Sequence, residues 1–204
     1  KLSAMMAAAT ATVNYARAGK VVLRVGVPAA LGALLCSTLG ALTLTALDET
    51  TVRILVLCCI PVAAVFTLRK PKPREGKERS AKATFLLSML IGGVVGFYDG
   101  LIGPGTGTFL ILLFLQGFCM EAVEAGGTAK LTNLASNFAA LVSLIATGNV
   151  LFLLGIPAGA CGMLGAFLGS KLTIRKGGKL IRGMMFAVLA LLLLKILYDL
   201  VFPG

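Results

Sequence analysis

Hydrophobic positions in this chain come in long unbroken runs rather than in alternation. Residues 25–47, 54–68, 83–98, 100–120, 131–170 and 183–194 contain no charged side chain. A helix needs roughly 20 apolar residues to cross a bilayer, whereas a membrane barrel shows ~10-residue segments that alternate. The runs fit the first pattern and predict helices over 2–18, 21–46, 51–68, 83–102, 106–120, 130–147, 150–173 and 180–202. The 106–120 element is short, either a span or a re-entrant half-helix. The predicted fold class is therefore all-α, a polytopic transmembrane helix bundle.

Laid on itself with Lys1 over Lys130, the chain repeats. The segment "KLSAMMAAATATVNYARAGKVVLRVGVPA" sits over "KLTNLASNFAALVSLIATGNVLFLLGIPA". Shared apolar composition accounts for Leu and Ala matches. It does not account for Lys1/Lys130, Gly26/Gly155, Pro28/Pro157 or Arg53/Arg182. The expected organisation is a first repeat over 1–69, a basic linker over 70–82 and a second repeat over 83–204. Residues 83–129 have no counterpart before Lys1, and the chain opens inside an apolar stretch without Met. The first repeat is accordingly read as incomplete, its upstream part missing.

Charge adds orientation. The net charge is +11, and seven of the 19 basic residues lie in "RKPKPREGKERSAK", residues 69–82. Short basic loops of this kind face the cytoplasm. With that linker inside, acidic Asp48 and Glu49 fall outside. The matching position of the second copy instead carries Lys171, Arg175, Lys176, Lys179 and Arg182. Its turn "TGNV" is uncharged where the first copy reads "ARAGKVVLR". The swapped signs predict repeats inverted across the membrane, an arrangement of transporters.

Composition narrows the chemistry. The chain is 58% hydrophobic and 13% charged, with a mean hydropathy of +0.97. Its basic residues form loops rather than a domain, which argues against nucleic acid as a partner. There is no histidine, and the five cysteines lack metal-ligand or redox spacing, so they read as packing residues. No cofactor motif, metal set or nucleophile–base pair is present, and an enzyme is not expected.

One stretch stands out, "GFYDGLIGPGTGTFLILLF", residues 96–114. It sets Asp99 among apolar residues, and Gly100, Gly103, Pro104, Gly105 and Gly107 predict a broken helix. A break at membrane depth is tolerated where the freed backbone faces protein or a watery cavity. The N–H groups near Thr106 to Phe109 then form a candidate anion site. In "GGTAKLTNLASN", Lys130 is expected to open another helix after a Gly-Gly break. Lys130, Asn133 and Asn137, at i, i+3 and i+7, share a face there. Two helix N-termini and a lysine make a cradle for a small oxyanion. The competing structural readings are a packing kink for Gly-Pro-Gly, a snorkelling Lys130 and a structural ion pair for Asp99. An acid at membrane depth nonetheless marks a functional site. In the first half, Thr10, Thr12 and Asn14 either line the path or bond between helices.

At these residues the sequence resembles the TauE/SafE sulfite-exporter family of bacterial inner-membrane proteins. The resemblance rests on "GFYDGLIGPGTGTF", "TAKLTNLASN", "GNVLFLLGIPAGACGMLGAFLGSKLTIRKGGKLIR" and "LLLLKILYD". It implies a multi-pass cell-membrane protein that moves small anions such as sulfite or organosulfonates, with the bilayer and the anion as its partners. Expected substrate-binding residues are Lys1, Asp99, Gly103, Gly105, Thr106, Gly107, Thr108, Lys130, Asn133 and Asn137. Asp99 either orients a lysine or carries a coupling proton. The alternative reading is an accessory or assembly protein, or a membrane enzyme subunit without transport activity.

Overall fold

The computed structural model describes residues 1–48, 50–52, 54–55, 80–177, 183, 187 and 191. The helices are α1 (Leu2–Arg17), α2 (Leu23–Ala46), α3 (Ala81–Leu101), α4 (Thr106–Phe118), α5 (Ala122–Ala146) and α6 (Phe152–Lys176). There is no strand among the described residues. Four helices, α2, α3, α5 and α6, are long and apolar enough to cross a membrane. Most of the predicted spans 51–68 and 180–202, and most of the basic linker, lie outside the described residues.

One helix is short: at 1.5 Å per residue, α4 extends about 20 Å, less than a ~30 Å hydrocarbon core. Helix α4 folds back along α3, with Gly117 beside Leu87 and Ile91. It then turns through Cys119, in the left-handed region, into α5. Its buried face, Leu110 and Phe114, packs with Val25, Ala29, Ile91, Val95 and Ala129 into the main apolar cluster.

Glycine spacing explains the tightest contact in the bundle. Gly32 and Gly40 of α2 face the Met89 and Phe97 carbonyls of α3. Gly92, Gly96 and Gly100 of α3 face the backbone at Ala29, Ala33 and Ser37. A Cβ at these sites would collide with the partner's main chain, and small residues four apart let membrane helices approach closely. Gly100 is thus a packing residue inside α3 and not part of the break. Gly107 is likewise helical, in the first turn of α4.

The Gly126–Gly127 pair departs from expectation in the same way. No break occurs there: α5 runs unbroken from Ala122, and Lys130 lies in its third turn. Gly127 is glycine because a Cβ would meet the Lys20 carbonyl and, at 3.0 Å, the Tyr15 Cβ.

Local structure agrees at several positions related by the Lys1/Lys130 offset. Shifted by the Lys1/Lys130 offset, α2 begins where α6 begins, and α1 ends where α5 ends. Gly19 and Gly148 take φ of 65° and 72° in matching turns. Pro28 and Pro157 lie at matching positions inside α2 and α6. Contacts exchange between the copies as well. A Cβ on Gly26 would lie 3.0 Å from Leu131, and one on Gly155 would lie 2.9 Å from Leu2. Leu2 borders a cavity with Leu141 and Leu144, while Tyr15 and Lys20 lie beside Gly127. Helix α1 therefore runs antiparallel to α5, whose second half is its counterpart.

Candidate functional site

The helix break spans Ile102 to Gly105, between α3 and α4. Gly103 and Gly105 have φ of 95° and 84°, a region that side chains rarely adopt. At Gly103 space adds a second reason, since a Cβ would lie 3.1 Å from the Lys1 ammonium and 3.3 Å from Asp99 Oδ1. The Tyr98 hydroxyl donates to the Pro104 carbonyl at 2.6 Å and pins the turn.

Asp99 is 3% exposed and is ringed by donors. Its Oδ1 accepts from Lys1 Nζ at 3.1 Å and from Thr106 Oγ1 at 3.1 Å. Its Oδ2 accepts from Asn137 Nδ2 at 3.1 Å and from the Ser136 hydroxyl. The Lys1 ammonium also donates to the Asp99 carbonyl. The ammonium and the amide N–H can only donate, so the carboxylate supplies the acceptors both need. The cluster joins four elements: α3, the α4 N-terminus, α5 and the start of the chain. Asn137 is about 23 Å from the start of α5 and about 14 Å from its end. The Asp99 cluster thus sits well inside the length of a spanning helix.

The helix N-terminus offers fewer free donors than expected. Thr106 N–H bonds the Gly103 carbonyl, and Thr108 and Phe109 N–H bond the Gly105 carbonyl. The Gly107 N–H has no backbone acceptor among the described residues. Because α5 does not begin at Lys130, the cradle has one helix N-terminus rather than two. The carboxylate beside that terminus is the protein's own, from Asp99.

Lys1, Asp99, Gly103, Gly105, Thr106 and Asn137 thus come together directly. Asn133 joins through Asn137, whose Nδ2 lies 3.0 Å from Asn133 Oδ1. Thr108 is not part of the cluster. Lys130, two turns before Asn137, is partly buried. No hydrogen bond or ion pair joins it to the described residues. Sequence reasoning missed Ser136 as a ligand and Ser37 behind it. Ser37 Oγ donates to the Ser136 carbonyl at 2.8 Å, and both are fully buried. A serine off the Lys130–Asn133–Asn137 face, next to Asn137, was the available signal.

In the first half, Asn14 Nδ2 donates to Ser170 Oγ at 2.8 Å, so it bonds α1 to α6. Thr10 returns its hydroxyl to the Met6 carbonyl. A cavity of about 140 Å³ opens beside Lys1, lined among others by Ser3, Leu141, Leu144 and Asn149. At the other end of α1, Lys20 lies 3.7 Å from Glu121 and 3.8 Å from Glu124, linking the α1–α2 turn to the start of α5.

Residues 1–196, which include the whole of this cluster, match the family described as "Sulfite exporter TauE/SafE". The chain belongs to that family. It is similar to the probable membrane transporter protein ORF9 of Sinorhizobium sp, at 32% identity over 98% of this chain and 76% of the relative. The probable membrane transporter protein YfcA of Escherichia coli (strain K12) is 36% identical over 72% of this chain and 53% of that protein. A probable membrane transporter protein of Haemophilus influenzae is 30% identical over 98% of the chain and 78% of its own length. No solved structure matches. As a TauE/SafE member with four membrane-length helices, the chain is a multi-pass membrane protein of a transporter family.

Proposed function

We propose that this TauE/SafE protein carries small sulfur oxyanions, sulfite or organosulfonates, across the bacterial inner membrane by alternating access. The observation that carries the reading is Lys130, an ammonium at membrane depth on α5, two turns before Asn137, that no described residue engages. An oxyanion there gains a charged donor, and the α4 N-terminus adds the Gly107 N–H and a favourable dipole. Thr108 and Asn133 are assigned as further donors to the anion. Asp99 acts as the positioning group: it holds Lys1, Thr106, Ser136 and Asn137, and so fixes the break against α5. Antiparallel packing of corresponding helices supports repeats inverted across the bilayer. Such repeats exchange two equivalent conformations around a central site.

Flux into proteoliposomes tests the substrate class. Saturable sulfite flux, competed by organosulfonates, is the expected result. Absence of flux for sulfite, sulfonates and sulfoacetate, with and without a pH gradient, would overturn it.

A further inference from the structure

Among the described residues, one buried side-chain oxygen has no hydrogen-bond partner, Thr12 Oγ1 on α1. A hydroxyl shut away from water and left unpaired is costly, so its place asks for a reason. Threonines in membrane helices commonly return the hydroxyl to a carbonyl one turn back, as Thr10 does to Met6 and Thr132 to Thr128. Thr12 does not.

Register places the unpaired hydroxyl. One side of α1 belongs to α6, where Met6 meets Gly159 and Asn14 bonds Ser170. Lys1, Ala8, Thr12 and Tyr15 form a separate stripe by their helical spacing. On α5, Gly127, Lys130, Leu141 and Leu144 share a stripe in the same way. The two stripes come together at both ends. Tyr15 Cβ lies beside Gly127, and Lys1 borders one cavity with Leu141 and Leu144. The helices run antiparallel, so one turn back from Tyr15 and one turn on from Gly127 set Thr12 level with Lys130. A hydroxyl and an ammonium, both without a partner among the described residues, thus lie level across the α1–α5 contact. The offset relating Lys1 to Lys130 also relates Thr12 to Leu141. The lysine that Asp99 holds therefore has leucine at its level, and the lysine that no described residue holds has threonine.

We propose that Thr12 is a specificity-determining residue of the anion site. Its Oγ1 donates to one oxygen of the oxyanion whose charge Lys130 takes, so the bound anion bridges α1 and α5. This rests on the proposed anion transport and adds to it a donor from a second helix. A sulfite or sulfonate offers a separate oxygen to each donor, whereas a halide shares one atom between them.

Two measurements on the full natural chain test it. Thr12→Cys, with the natural cysteines changed to serine, is treated with methanethiosulfonate reagents bearing either a sulfonate or a trimethylammonium group. Faster reaction with the sulfonate reagent, slowed by Lys130→Ala, is the expected result. No reaction, or equal reaction with both, would overturn the proposal whatever the natural substrate is. Sulfite titration of Thr12→Val then reads the hydroxyl, because valine keeps the shape. Weakening of roughly two- to tenfold in Kd is expected, with recovery in Thr12→Ser and an unfolding midpoint no lower than the parent's. Parental affinity in Thr12→Val would overturn the proposal, as would weakening that Thr12→Ser does not restore. If the parent binds no sulfite, the substrate class fails, and the charge selectivity at Thr12→Cys still decides the site.

Discussion

Lys1 and Lys130 occupy the same position in two copies of one repeat, and their surroundings differ. Lys1 is held by the side chain and the carbonyl of Asp99 and is crowded by Gly103. Lys130 is joined by no hydrogen bond or ion pair to the described residues. The difference comes from one element. The α3–α4 hairpin delivers its carboxylate to Lys1 and makes no hydrogen bond or ion pair to Lys130 among the described residues. On the proposed function, Lys1 serves structure and Lys130 meets the anion.

Removing Asp99's charge should have the largest effect, because it makes Lys1 resemble Lys130. Asp99→Asn leaves an enclosed ammonium without its partner, and breaking a buried pair costs about 3–5 kcal/mol. Thermal unfolding in detergent should show that loss together with loss of flux. An unchanged midpoint would mean that the pair does not hold the break. Gly103→Ala sharpens the contrast from the backbone side. It forces a side chain to φ of 95° against the Lys1 ammonium. The cost is about 1–3 kcal/mol, again without touching Lys130. Lys20→Ala, in the α1–α2 turn, removes surface ion pairs to Glu121 and Glu124 worth less than about 1 kcal/mol. Its midpoint and flux should match the parent, and a large effect would show that the α1–α2 turn controls the site.

Much of the fold was legible because membrane helices advertise themselves by length and apolarity. The starts and ends of α2 and α6 followed from run boundaries and from Gly19/Gly148 and Pro28/Pro157. The errors were all glycines. Gly100, Gly107 and the Gly126–Gly127 pair lie inside helices, because a missing Cβ serves close approach as readily as it serves a turn. A single sequence does not separate the two uses until a neighbour is known. Gly103 and Gly105 were read correctly as the break, since they and the intervening Pro104 concentrate breakers in three consecutive residues. The site was legible as Asp99 with Thr106 and Asn137, residues whose polarity is out of place in an apolar run. Ser136 and Ser37 escaped, because a serine in a membrane helix commonly returns its hydroxyl to its own backbone, as Ser88 does to Thr84.

The most direct test of the central claim is the affinity of the purified protein for sulfite, by titration calorimetry, before and after Lys130→Ala. Loss of a charged donor is worth about 1.5–3 kcal/mol, roughly ten- to a hundredfold in Kd. The account predicts that weakening with an unfolding midpoint close to the parent's. Sulfite binding of parental strength in the Lys130→Ala protein would contradict it.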